Sequence, residues 1–264
     1  MTEFDEDTAL TAIAPGRWKT DVTDRWSIGA GPNGGYIASF LIRAMSMEAE
    51  HPDPLTMTTH FLARPQEGPA MVTVEHLRRA RSHHFMDARL LQGERLVAVA
   101  TATFGRLRFD DPVSRQGEVP EPPRPDRAIP VAAAQGPDMT FRERFEYRVA
   151  ESTDMPYLLA EPGPARAGGW TRFSDGRALD AVAVPLFMDS WPPPMFATFP
   201  GATAPTIELT VYWRGRPATP WHLTDFRSRF LQNGYTEEDG ELWDENGQLV
   251  AQSRQLARVT LPSD

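Results

Sequence analysis

The chain contains no cysteine, which excludes structural disulfides, a thiolate nucleophile and Cys-ligated zinc or iron–sulfur sites. The simplest compartment for such a chain is the cytoplasm. It also lacks any run of about eighteen apolar residues, the minimum for crossing a bilayer. The stretch "MTEFDEDTAL" is acidic where a secretory signal would be basic and then apolar, so neither a membrane span nor export is expected. Positive excess is absent too: a formal charge of −9 repels a phosphate backbone and argues against general nucleic-acid binding. An anionic ligand would need a local basic patch. "GPNGG" has neither a GK[ST] ending nor GxGxxG spacing, so it is no phosphate loop. His83-His84 has no carboxylate or third ligand at useful spacing, which predicts a surface or strand-edge pair and no metal. Nothing calls for a cofactor. What remains, 41% hydrophobic and 24% charged over 264 residues, is the composition of a folded soluble protein with one large core or two modest ones.

What is present is a repeat. Residues 56–104 and 206–256 each open on a Thr-led β-rich run, reach Arg-Pro (Arg64-Pro65, Arg216-Pro217) and close on Leu-Val-Ala (Leu96 to Ala98, Leu249 to Ala251), at matching offsets. One unit is written twice. Ahead of the first copy, Ile37, Phe40, Leu41, Ala44, Met45 and Ala49 fall on helical spacing, and "HPDP" forbids continuation. This predicts a long helix over 34–49. "LTMTTHFLA", "AMVTVEHLRRA", "HFMDARLLQ" and "LVAVATATFGRL" then read as four antiparallel strands separated by Gly or Pro turns. The second copy repeats the order, with a helix-prone "DGRALDAVAVPLFMDSW" and strands near 206–214, 221–231, 237–244 and 248–260. Asn246-Gly247 signals a hairpin. The Pro-dense stretch between the copies reads as a linker laid over the surface. The expected division is therefore an N-terminal repeat (1–109), a Pro-rich linker (110–140) and a C-terminal repeat (141–264).

A helix followed by a curved antiparallel sheet, twice in one chain, looks like an α+β double hotdog. The chain resembles the acyl-CoA thioesterase II family from about residue 24 onward. The likeness is carried by "GGYIASFLIRAM", "HFLARPQEGPAMVTVEHLRRARS" and "LVAVATATFG", then by "GGWTRF", "FMDSWPPPMF", "PTIELTVYWRGRP" and "LVAQSRQ". The resemblance implies hydrolysis of acyl-CoA to free acid and CoA. It also implies a trio that holds the attacking water: an Asp ending the second helix, a Thr opening the next strand and a Gln in the last strand. These fall on Asp189, Thr206 and Gln255.

The residue types suit that chemistry. Without Cys or Ser as nucleophile, water must be activated by a carboxylate base. A hydroxyl and an amide can orient it without competing for the proton. Gln255 shares the mostly apolar face of the last strand with Leu249, Ala251, Ser253, Ala257 and Val259, where, the resemblance aside, a structural hydrogen-bonder is the favoured reading. Glu208, on the same strand parity as Thr206, is the rival base. Gly34 and Gly35 stand where a capping residue would be expected. They would either expose helix N–H groups to a thioester oxyanion or permit a tight turn or close packing. Arg78, Arg79 and Arg81 could meet CoA phosphates or line a solvated strand edge; Arg78 and Arg81 are the candidates for substrate contact. "YTEEDGELWDENG" reads as a solvated hairpin. At the repeat offset Gln255 maps to Ala102 and Asp189 to Ile37, so one active site per chain is expected. The alternative is a non-catalytic acyl-binding double hotdog. A hydratase would want an Asp/His pair, and none has convincing spacing. With its partner repeat already in the chain, the minimal unit is the monomer, and leftover strand edges and apolar faces predict a homodimer.

Overall fold

A computed structural model describes residues 1–29, 31–109, 112–122, 124–131, 139–150 and 163–261. The first repeat comprises α1 (Glu3–Asp7), β1 (Thr11–Ala14), β2 (Arg17–Val22), the short pair β3 (Ser27–Ile28) and β4 (Gly31–Pro32), α2 (Gly34–Glu48), β5 (Asp53–Phe61), β6 (Gly68–Arg79), β7 (His84–Gln92) and β8 (Arg95–Gly105). The second comprises β9 (Ile129–Val131), β10 (Phe145–Val149), β11 (Arg166–Phe173), α3 (Val184–Phe187), α4 (Met195–Thr198), β12 (Thr206–Trp213), β13 (His222–Arg227), β14 (Leu231–Gln232), β15 (Tyr235–Asp244) and β16 (Leu249–Arg258).

Among the described residues all the longer strands join one antiparallel sheet, in the order β1-β2-β6-β7-β8-β5-β12-β16-β15-β13-β11-β10-β9. The order reads as a mirror about the β5/β12 contact: β2 answers β11, β6 answers β13, β7 answers β15 and β8 answers β16. Thr58 and Thr210, which hold the same place in the two repeats, share a hydroxyl hydrogen bond of 2.8 Å at that contact. Duplication in sequence has become a pseudo-twofold axis between two strands.

α2 forms where expected and is enclosed on nearly all sides, with Tyr36, Ile37, Ala38, Phe40, Leu41, Ile42, Ala44 and Met45 buried. A helix apolar all round belongs inside, and this one packs against β5 to β8 and against α3. The aromatic cluster under it draws on both repeats: Trp26 stacks on Tyr36 at 5.7 Å, and Phe145 meets Trp26 at 6.3 Å and Phe187 at 5.4 Å edge-on. The repeats therefore share one core.

The second long helix expected does not form; α3 is a single turn. Pro185 cannot donate to an earlier carbonyl and disfavours helical angles at the residue before it, and Pro192 to Pro194 stop the helix on the other side. That leaves room for about two turns between prolines. Asp180 Oδ1 accepts from Ala183 N–H at 3.0 Å and organises the turn leading in. The strands β1, β2, β10 and β11 extend the sheet beyond those expected. Of the stretch read as a linker, residues 110, 111, 123 and 132–138 lie outside the described residues. Its described part crosses the outer face of the second repeat: Pro125 O accepts from Arg148 Nη1 at 2.7 Å, and Ala128 is buried with Trp170, Trp221 and Trp243. No helix among the described residues is long and apolar enough to cross a membrane.

Candidate active site

The glycines that begin α2 have a cap after all: Asn33 precedes them, and its Oδ1 accepts from Tyr36 N–H at 3.0 Å. Its Nδ2 points the other way, donating to Asp189 Oδ2 at 2.9 Å and to Asp189 O at 3.0 Å. Gly35 N–H donates to the same Oδ2 at 2.8 Å. The positive end of α2 thus holds a carboxylate of the protein itself, where helix N–H groups and dipole favour negative charge.

Space at this junction explains the missing side chains. A Cβ on Gly35 would lie 2.4 Å from Pro185 O and 2.7 Å from Leu186 Cα; one on Gly34 would lie 3.1 Å from Asp189 Oδ2 and from Phe61 Cζ. Of the two readings of the glycines, close packing is the one the contacts around Gly35 support, since its N–H is committed to Asp189 and its α-carbon abuts backbone. Asp189 is fixed from the other side by the α3 exit, where Tyr147 Oη donates to Ser190 O at 3.0 Å and Trp191 Nε1 donates to Thr171 Oγ1 at 2.9 Å.

Thr206 and Gln255 are in direct contact, Thr206 Oγ1 donating to Gln255 Oε1 at 2.7 Å. The pairing depends on a register shift between Thr206 and Glu208. One extra residue there flips the parity of the strand, so Thr206 turns toward Gln255 while Glu208 takes the opposite face and accepts from Thr210 Oγ1. The expectation that Glu208 and Thr206 share a face is corrected by this bulge. Gln255 is 5% exposed, and its Nε2 donates to Glu238 Oε1.

Glu238 overturns the reading of "YTEEDGELWDENG" as a solvated hairpin. That segment is β15, and Thr236, Glu238, Gly240 and Leu242 turn inward. Its parity with Leu242 was the signal available in the sequence. Asn33 was the second omission; an Asn directly before two glycines at a helix start was its signal.

The two carboxyls are tuned differently. Burial raises Asp189, opposed by the hydrogen bonds from Gly35, Asn33 and Gly34, and leaves it at about 6. Burial also raises Glu238, opposed by the Gln255 amide and reinforced by the charges of Asp189 and Asp239, and pushes it up to about 8. Both carboxyls are thus raised chiefly by burial, Glu238 further than Asp189.

The pseudo-symmetric position is apolar. Gln255 stands opposite Leu209 and Glu238, whereas Ala102 stands opposite Met57 and Met86; Ala102 and Ile37 are buried. Arg78 and Arg81 are exposed at the β6–β7 tip. That tip lies at the other end of α2, where Arg79 pairs with Glu50 at 2.9 Å. Fifteen helical residues span roughly 22 Å, so the structure does not bring these arginines to Asp189. His83 is exposed, but His84 is buried, its Nε2 2.9 Å from His76 Nδ1. Desolvation, then His76, holds His84 below the usual imidazole range; the surface position expected of the pair holds for His83, whereas His84, the first residue of β7, is buried.

A buried carboxyl at a helix N-terminus and a hydrogen-bonded Thr–Gln pair thus lie in one duplicated helix-and-sheet unit. Residues 22–105 match the acyl-CoA thioesterase N-terminal domain and residues 119–259 the acyl-CoA thioesterase C-terminal domain. The chain belongs to the acyl-CoA thioesterase family. It is similar to a proposed thioesterase II of Thermobifida fusca YX, with 27% identity, a TM-score of 0.90 and 98% of each chain covered. A hot-dog-fold protein of Alicyclobacillus acidocaldarius is 24% identical with a TM-score of 0.87 over 100% of both chains. The acyl-CoA thioesterase II TesB2 of Mycobacterium marinum is 19% identical with a TM-score of 0.73, over 98% of this chain and 99% of that one. The last two likenesses speak for the hotdog fold alone.

Proposed function

We propose that the chain hydrolyses acyl-CoA thioesters to the free acid and CoA, with Asp189, Thr206 and Gln255 arranged about one water. The observation that carries the reading is Asp189, a carboxyl held at about 6 whose charge reaches the Thr206–Gln255–Glu238 chain. Asp189 takes a proton from water as the water oxygen attacks the thioester carbonyl carbon. The C–S bond then breaks, and the CoA thiolate takes up the proton that Asp189 had gained. Gln255 uses one N–H on Glu238 and keeps a second for the water or for the charge on the carbonyl oxygen, while Thr206 keeps lone pairs that can accept from the water.

The catalytic unit in this proposal is the intrachain hotdog pair, working in the cytoplasm, with two chains forming a homodimer. The test is a panel of acyl-CoAs, from short to long and aryl, assayed for release of free thiol. Hydrolysis of at least one class, abolished in Asp189→Asn, is expected. Acyl-CoA binding without thiol release would replace the hydrolytic reading with that of a non-catalytic acyl-binding protein.

A further inference from the structure

The hydrolytic reading leaves one buried carboxyl without a task. Glu238 is 6% exposed and stands directly opposite Gln255. Among the described residues no basic side chain pairs with it. Arg229 and Arg254 bond Asp239, the next residue, on the outer face of the sheet. The groups that act on Glu238 are the Gln255 amide from β16, Asp189 from the α3 exit and Asp239 from its own strand. The buried Asp7 and Asp53 pair with Arg25 and Arg216, and the buried Asp244 organises a turn through Asn246 N–H and Gln248 N–H, whereas an unpaired buried carboxyl costs stability. Here an unpaired one sits beside a second acid.

We propose that Glu238 is a positioning residue that works as a neutral carboxylic acid, bracing the Gln255 amide against Thr206, and that its ionisation switches the site off. The role rests on the hydrolytic reading of Asp189, Thr206 and Gln255. An amide has two ends of nearly equal shape and opposite polarity. In the structure Thr206 donates to the oxygen end and Glu238 accepts from the nitrogen end, which holds the amide between two strands and leaves its second N–H for the site. Burial and Asp189 keep Glu238 protonated up to about 8, a range over which Asp189 is already ionised. Loss of that proton places a second negative charge where the reaction itself develops one, which opposes the transition state.

The test compares kcat against pH for the wild type, Glu238→Gln and Glu238→Ala, with circular dichroism to confirm folding. The wild type should lose kcat above about pH 8. Glu238→Gln, neutral at every pH and still able to accept from Gln255, should retain activity near neutral pH and lose the falling limb. Glu238→Ala should lower kcat by about tenfold or more, as expected for a missing hydrogen bond in the transition state, with a smaller change in KM. Infrared spectra of wild-type protein labelled with 13C-glutamate need no variant: a neutral carboxyl band should be present at pH 7 and vanish at higher pH. A falling limb that persists in folded Glu238→Gln, or a wild-type spectrum without the band at pH 7, overturns the proposal. A wild type inert toward every acyl-CoA would sink the hydrolytic reading and this role with it, a failure recognisable from the absence of any turnover.

Discussion

The amide N–H of Gly35 in the first repeat donates to Oδ2 of Asp189 in the second over 2.8 Å. One hydrogen bond thus couples the duplication, the start of the central helix and the candidate base. It also changes what the glycines are for.

Gly35→Ala should destabilise the protein. Alanine gains about 1 kcal/mol over glycine in a free helix, but here its Cβ would meet the Pro185 carbonyl at 2.4 Å, and overpacking of this kind costs about 1–3 kcal/mol. Urea unfolding measures the difference. An unchanged midpoint would show that α3 can retreat without penalty.

Asp189→Asn should lower kcat by at least roughly a hundredfold, the scale of a lost general base, with the fold kept, since the amide oxygen can still accept from Gly35. Thr206→Ala and Gln255→Ala should also impair turnover, and each combined with Asp189→Asn should cost less than the sum, because groups on one water are coupled. Full additivity in these double variants would separate the residues into independent roles.

Asn33→Asp keeps an N-cap acceptor but removes two donors from Asp189 and sets a like charge beside it. A like charge disfavours ionisation, so the rising limb of kcat, expected near pH 6 in the wild type from Asp189, should move to higher pH. A limb that stays put would mean that Asp189 does not govern it.

Stability should fall as the solution becomes alkaline. Asp189 and Glu238 rise from ordinary values of 3.8 and 4.5 to about 6 and about 8 on folding. The folded state therefore binds more protons than the unfolded state in those windows. The slope of unfolding free energy with pH is negative there: stability from these groups is complete below the unfolded values and lost as pH climbs through about 6 and then about 8. Melting temperatures at pH 5 and pH 8.5 should differ more in the wild type than in Glu238→Gln. Equal differences would place the Glu238 ionisation outside this range.

Much of this fold is legible in the sequence. The strands over 55–63, 70–80, 84–92 and 96–107 and the helix over 34–49 come within a few residues of the observed elements, because their periodicity coincides with their burial. Thr206 and Gln255 were named, and they touch. The misses have separate causes. The apolar spacing over 175–191 predicts a longer helix than Pro185 allows. β11 is glycine-rich, and its Gly169 runs at a φ of 149° under the Trp191 ring, a close approach that local strand propensity does not anticipate. Asn33 and Glu238 matter through partners 156 and 17 residues away, so their local signals, a cap position and a strand parity, do not name those partners.

The mirror order of the sheet has a further consequence for how such a site can change. In a dimer of identical single units every substitution appears twice, so an unpaired acid in one core would be imposed on the other as well. Fusion of the two units into one chain releases that constraint. Met86 and Ala102 can remain hydrocarbon where Glu238 and Gln255 are polar, which gives one sheet a wet flank and a dry flank. The penalty of a buried carboxyl is then incurred once per chain, and the dry flank is free to supply the rigidity against which the wet one is held.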